Sequence, residues 1–332
     1  MPQSRNKAYV ADRCEPLVQA VDAGKVDLHA LTHNGYPGSP LSPAQLPGVL
    51  SVGFWDAKGR QDWGLNQHCN EGIEITYLET GTLTFTVSGI VNELHPGNMT
   101  ITRPWQPHAL GNPQVGPGRL HWLILDVGIH KPHQRWQWPA WLLLTTEDLK
   151  HLTELLSHNE TPIWSADPHT AACFQRIAEL IRNPDKIARI SALAVLINGL
   201  LLSIYEALID QNIPLNPELT TSQRSAQLFL ESVKGNKPLL SQNWTAATMA
   251  EQCGLGVTHF TKLCKIITNM TPLEYLNDQR IEIAARLLRQ NPNQSITDVA
   301  LQTGFNTSQY FATVFSRYKK CSPKQYRQGC KG

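Results

Sequence analysis

The chain has 332 residues, 41% hydrophobic and 17% charged, which suits a globular protein of about two domains and excludes a disordered or fibrous one. A formal net charge of +2 hides an asymmetry: residues 224–332 hold 14 Lys and Arg against 6 Asp and Glu, a net of +8, while residues 1–223 hold 15 against 21, a net of −6. The seven cysteines are odd in number, scattered and never spaced C-x-x-C, so they read as reduced thiols of a cytoplasmic protein and imply neither a disulfide framework nor a zinc site.

The first residues, M-P-Q-S-R-N-K-A-Y-V, contain no apolar run of the kind a secretion signal needs. A short helix is expected near Pro16 to Ala23, with His29 and His33 beyond it. The Pro- and Gly-rich run from Tyr36 to Gly48 disfavours regular structure, so residues 1–48 read as an N-terminal arm. From Val49 to Val127 the pattern is β, with alternation and β-branched residues broken by turns at Gly81, Gly89 and Pro96-Gly97. Short strands so closely spaced predict a small barrel or jelly roll over residues 49–135.

The barrel segment is rich in tryptophan. Trp55, Trp63, Trp105 and Trp122 fall in or beside predicted strands, with Glu74, Arg103, His108 and His121 near them in sequence. Indole faces can pack on the C–H face of a sugar ring while charged and imidazole groups bind its hydroxyls, so these eight residues are the candidate effector-binding set. The same tryptophans read equally well as barrel core and rim.

Residues 136–211 read as a helical connector. W-Q-W-P-A-W fastens it to the barrel, Thr146 opens a helix through Ser157, and Asp167-Pro168 starts another. The apolar run from Ile190 to Ile209 is 20 residues long, near the length of a membrane span, but it contains Asn198, Gly199 and Glu206. A helix buried in a core or a dimer interface is the preferred reading, with no membrane partner. Residues 212–223, N-I-P-L-N-P-E-L-T-T-S-Q, form the linker to the basic end.

Within residues 224–332 one pattern occurs twice, at 244–276 and 295–327. Ala250 matches Ala300 and Gly254 matches Gly304 at an offset of 50, whereas Pro272 matches Pro323 and Tyr275 matches Tyr326 at 51, so one residue is inserted after the second glycine. Each copy has the layout of a helix-turn-helix: a small alanine for close helix crossing, a glycine to end the first helix, and a second helix with one apolar face. Those faces are Phe260, Leu263, Cys264 and Ile267, and Phe311, Val314, Phe315 and Tyr318. The opposite faces carry side chains suited to base edges, Thr258, His259 and Lys262 in one copy and Thr307, Ser308, Gln309 and Thr313 in the other. Lys265, Arg317, Lys319 and Lys320 are the expected phosphate contacts. A joining helix from Thr271 to Gln290 sets the spacing, with Arg280 expected in a structural ion pair.

Residues 244–327 resemble the DNA-binding domain of the AraC/XylS family of bacterial transcription regulators. The resemblance rests on A-x-x-C-G-L, on T-P-L-E-Y-L with Arg280, and on S-I-T-D-V-A-x-x-x-G-F-x-x-x-x-Y-F-x-x-V-F followed by S-P-K-Q-Y-R. Gly256 stands where that family usually has a capping Ser, Cys264 where it has Phe, Asn269 and Cys321 where it has Gly, and Thr313 where it has a basic residue. The phrases E-I-T-Y-L-E-T-G, L-H-P-G-N-M-T and R-P-W-Q-P-H resemble the cupin half-barrel of many such regulators. Metal-binding cupins carry two close histidines and a Glu in the first motif and a further His in the second; here His68, Glu74 and His108 could imitate three of the four, with Cys69-Asn70 where another His would be useful. A metal-free pocket without cofactor is preferred.

These resemblances imply an α+β protein of two domains: a cupin-like β-barrel or jelly roll with a helical dimerisation region, then an all-α domain with two helix-turn-helix motifs. They imply a cytoplasmic homodimeric regulator, expected to be an activator that contacts double-stranded DNA and RNA polymerase under control of a small effector, here expected to be a sugar. Two alternatives stand beside it, a metal-dependent cupin enzyme fused to a DNA-binding domain and a regulator that senses no ligand. No nucleophile elbow, phosphate-binding glycine loop or catalytic carboxylate pair is present in the sequence.

Overall fold

The computed structural model describes residues 9, 11–33, 35–111, 114–211 and 213–329. Residues 11–219 group into one compact unit and 220–329 into another.

The first unit opens with α1 (Glu15–Asp22), followed by β1 (Val26–Thr32), β2 (Ser39–Pro40), β3 (Val49–Ala57), β4 (Leu65–His68) and β5 (Ile73–Gly81). Then come β6 (Leu83–Val87), β7 (Ile90–Leu94), β8 (Asn98–Thr102), β9 (His108–Leu110) and β10 (Gly118–Leu125). The remaining elements are α2 (Thr146–His158), β11 (Ile163–Ser165), α3 (Pro168–Arg182) and α4 (Arg189–Asp210). The strands make a seven-stranded sheet, β11-β8-β5-β10-β3-β1-β2, and a four-stranded one, β4-β9-β6-β7. Apolar side chains from both sheets, among them Trp55, Leu78, Phe85, Leu110 and Trp122, form one core cluster, the arrangement of a double-sheet jelly roll.

The period of two along a strand decides what each face does. On β5, Glu74, Thr76 and Leu78 pair across β10 with Ile124, Trp122 and Leu120, all three of which lie in that core cluster. The alternate residues face α3: the Tyr77 ring stacks on Phe174 at 5.5 Å, and Gln175 Nε2 donates to Glu79 Oε1 at 3.1 Å. The sharp passage from β5 to β6 uses Gly81 at φ +88°, where a Cβ would collide with the Pro117 carbonyl.

The sheet reaches further toward the N-terminus than the arm reading allowed. β1 pairs antiparallel with β3 along all seven of its residues, and Ser39–Pro40 pairs in parallel with Leu31 and Thr32. Proline is compatible with this position because β2 is an edge strand, where a missing N–H leaves no ladder partner unmet.

α4 is long and apolar enough to cross a membrane by length and composition, and 44% of its most apolar window is buried. Leu193, Ile197, Leu200, Leu201, Ile204 and Leu208 are buried. Buried Asn198 is satisfied locally, accepting from the Leu143 N–H at 2.6 Å and donating to the Ala194 carbonyl at 2.9 Å, so it fits the core-helix reading.

The second unit is all helix: α5 (Ser222–Val233), α6 (Lys237–Leu240), α7 (Ala246–Gln252), α8 (Val257–Thr268), α9 (Pro272–Gln290), α10 (Ile296–Gln302), α11 (Ser308–Lys319) and α12 (Pro323–Arg327). α5 begins inside the segment read as a linker. One apolar cluster gathers α5 to α9 around Phe229, Trp244, Phe260 and Cys264, and a second gathers α9 to α12 around Phe305, Phe311, Phe315 and Tyr326. α9 contributes to both, with Leu276 and Ile283 in the first and Ile281, Ala284, Ala285 and Leu288 in the second.

Candidate functional site

Each helix-turn-helix forms as its sequence requires. Ala250 and Ala300 are buried, at 1% and 0% exposure, so α8 and α11 can approach closely. Gly254 and Gly304 take φ +67° and +85°, conformations that cost a side chain about 1–2 kcal/mol. The apolar faces bury Phe260, Leu263 and Cys264 on α8, and Phe311, Val314 and Phe315 on α11. Thr258, His259, Lys262 and Lys265 are exposed on the outer face of α8, and Gln309, Thr313, Arg317 and Lys320 are exposed on or just after α11.

Three expectations change in detail. Thr307 stands outside the helix as its N-cap, its hydroxyl accepting from the Tyr310 N–H at 3.2 Å, and Ser308 is half-buried. Lys319 is tied to Glu282 at 2.6 Å, which occupies it away from a phosphate. Arg280 makes hydrogen bonds to carbonyls in place of the expected ion pair: Nε donates to Leu240 and Nη2 to Gln242, both at 2.8 Å. Burial pulls its pKa down to about 10, which leaves it a cation at neutral pH. Tyr310 is also exposed on α11, at 54%; apolar periodicity assigns an aromatic to a core and gives no hint of one left outside.

In the first unit the eight candidate effector residues do not form one pocket. Trp55 and Trp122 are core, at 3% and 7% exposure, with Trp63 packed against the same cluster. His121 lies on the opposite face of the sheet, under α3, with Nε2 2.7 Å from Glu79 Oε2 and its ring beside Phe174. The reason is register: Trp122 faces inward, so its neighbour His121 must face outward. Arg103 donates to the Asn159 carbonyl at 2.8 Å. Trp105, at φ +63°, is buried with Nε1 donating to the Ile129 carbonyl at 3.0 Å.

Glu74 and His108 do remain inside, and His68 joins them. β4 and β9 pair so that His68 stands opposite His108; the two rings lie 4.3 Å apart. His108 Nε2 is 2.8 Å from Glu74 Oε2. Burial pushes the Glu74 carboxyl up, but His108 and His68 outweigh it and hold it below the usual range. Burial alone would depress the His108 ring, yet Glu74 raises it, while burial and the neighbouring His108 depress His68. One ligating atom from each of His68, Glu74 and His108 falls within 4.8 Å of the others. The donor set therefore fits a divalent metal better than a sugar-stacking pocket.

A separate cleft of about 640 Å³ is lined by His29, Ser39, Arg182, Lys186, Arg189 and Ser191, among others. None of the eight candidate residues lines it.

A helix-turn-helix domain model matches residues 249–329, and a cupin domain model matches residues 57–124. The HTH-type transcriptional regulator ExsA of Pseudomonas aeruginosa is 27% identical over 175 residues, 50% of this chain and 57% of that protein. The thermoregulatory protein LcrF of Yersinia pestis is 25% identical over 281 residues, 79% of this chain and 90% of that protein. The HTH-type transcriptional activator RhaS of Escherichia coli is 40% identical over 90 residues, 27% of this chain and 31% of that protein. The match thus spans little more than half of ExsA and about a third of RhaS. A cupin domain followed by two helix-turn-helix units is the order that the motifs imply, and over the C-terminal unit the chain is similar to the DNA-binding, HTH-type transcription regulators of the AraC/XylS family.

Proposed function

We propose that this regulator is a cytoplasmic transcription activator that reads DNA with α8 and α11 and is controlled by a small effector bound in its N-terminal domain. The observation that carries the DNA reading is the pair of exposed polar faces on matching helices, within a segment of net charge +8. Base contacts fall to Thr258, His259 and Lys262 on α8, and to Gln309 and Thr313 on α11 with Ser308 at its start. Lys265, Arg317 and Lys320 meet phosphates. Activation through RNA polymerase is consistent with RhaS being named an activator. A homodimer would cover the exposed Val195, Leu202 and Ile209 of α4, at 65%, 47% and 46% exposure and spaced seven residues apart.

The test uses the full chain to select sites from a randomised duplex pool. Lys262→Ala and Gln309→Ala should each weaken binding to the selected site by about 5- to 100-fold and relax preference at one position. Unchanged affinity and preference in both variants would show that these helices do not enter the groove as assigned. For the effector, thermal unfolding of the full chain against sugars and sugar acids tests the carbohydrate class.

A further inference from the structure

The His68–Glu74–His108 cluster has chemistry that the helix-turn-helix reading does not use. Each imidazole is held through Nδ1: that of His68 donates to the Asn66 carbonyl at 2.7 Å, and that of His108 to the Gln106 carbonyl at 2.9 Å. A carbonyl can only accept, so Nδ1 carries a proton in both rings and Nε2 is the nitrogen left to ligate. His108 Nε2 lies close to Glu74 but off the direction a hydrogen bond needs, and it is buried without a hydrogen-bond partner. Two more buried polar atoms share that condition, Asn70 Nδ2 and Thr102 Oγ1. Thr102 stands directly opposite Glu74 across β5 and β8, and Asn70 is two residues beyond His68 in the turn leading to Glu74.

Buried polar groups without partners are costly. A single cation resolves several at once. Ligand atoms bonded to one ion at about 2.0–2.2 Å lie about 3–4.4 Å apart; His108 Nε2 and Glu74 Oε2 are 2.8 Å apart and one ligating atom of each of the three residues lies within 4.8 Å of the others, a spread that side-chain rotation can close around an ion. Two imidazoles and one carboxylate suit a first-row transition metal and disfavour calcium or magnesium, which take oxygen.

We propose that His68 Nε2, His108 Nε2 and a Glu74 carboxylate oxygen bind one divalent first-row transition metal ion, with Asn70 and Thr102 hydrogen-bonding to the oxygen ligands that complete its shell. This departs from the metal-free pocket expected from the sequence. Resting on the proposed sensor role of the N-terminal domain, the step to function is that the ion is the effector.

The probe is Co(II) alone, titrated into chelator-treated full-length protein and followed by visible absorption and calorimetry. One Co(II) per chain is expected, with affinity reduced at least about 100-fold by Glu74→Gln and by His68→Ala. His68 is the least buried of the histidine ligands, so His68→Ala keeps the test decisive if the inner substitution misfolds. His121→Gln, on the other face of the sheet, should bind Co(II) as the parent does. Absence of binding by folded protein, or binding that survives His68→Ala combined with His108→Ala, overturns the site. Affinity for the selected duplex is measured with and without Co(II): a change supports the ion as effector. Bound Co(II) with unchanged DNA affinity would leave the site standing and overturn its sensory role.

Discussion

The two helix-turn-helix units follow one plan and differ in how firmly it is fastened. α7 and α10 each have 7 residues, and α8 and α11 each have 12. Both recognition helices end on a left-handed residue, Asn269 at φ +59° and Lys320 at φ +57°. Leu255 and Phe305 take equivalent positions, each N–H bonding to the carbonyl of the buried alanine five residues earlier, so Asn306 is the inserted residue. The cap positions then diverge: Thr307 caps α11 with its hydroxyl, while Gly256 gives α8 no side-chain cap. The cores diverge as well, since Cys264 occupies the place of Phe315, which joins an aromatic chain from Phe305 through Phe311 to Tyr326. The first core has aromatic contacts of its own, Phe229 with Trp244 and Phe260, but Phe315 in place of Cys264 and a hydroxyl cap in place of none hold α11 more firmly than α8, so the first unit should be the more adaptable reader.

Truncating the cores tests this most severely. Phe315→Ala should cost about 3–5 kcal/mol in urea denaturation of the full chain, and Cys264→Ala much less; equal losses would show that the two cores carry similar weight. Arg280→Leu would strip the Leu240 and Gln242 carbonyls of their donor and cost about 1–3 kcal/mol. Because the side chain also lies over the Phe305 ring, at 5.6 Å, footprinting should show weaker protection at both contacted DNA segments, and a loss confined to one would contradict the link. Thr307→Ala should cost about 1 kcal/mol, seen as faster hydrogen exchange in the first turn of α11. Gly256→Ser should stabilise α8 by a few tenths of a kcal/mol; if exchange at its first turn does not slow, the missing cap is not what weakens it.

The helical unit was legible because its signal occurs twice. A glycine four residues after a small alanine, followed by helical spacing of apolar residues, has few structural solutions, and Ala250, Gly254, Phe260 and their partners fall where that pattern requires. The strands of the first unit were legible from alternation. Alternation does not show which face is inside, so His121 and Trp122 look alike in sequence although the pleat sends them to opposite sides. Nor could it show that His68 and His108, forty residues apart, stand opposite each other, because that depends on the register of β4 against β9. The role of Arg280 is hidden for a related reason: its partners are main-chain oxygens, which leave no mark in a sequence.

The position of Gly304 has a consequence for the shape of the DNA site. A Cβ there would collide with the Leu240 carbonyl and lie 2.7 Å from Arg280 Nη2, so the turn of the second unit sits directly on the end of α6 and the middle of α9. The two reading heads cannot swivel independently without opening that seam. One base pair added between their contacts would displace the second segment by about 3.4 Å and turn it by roughly 35° around the duplex. A protein hinged at this point could follow the change, but one welded there cannot, so the separation of the two contacted segments should be as stringent a feature of the binding site as the bases themselves.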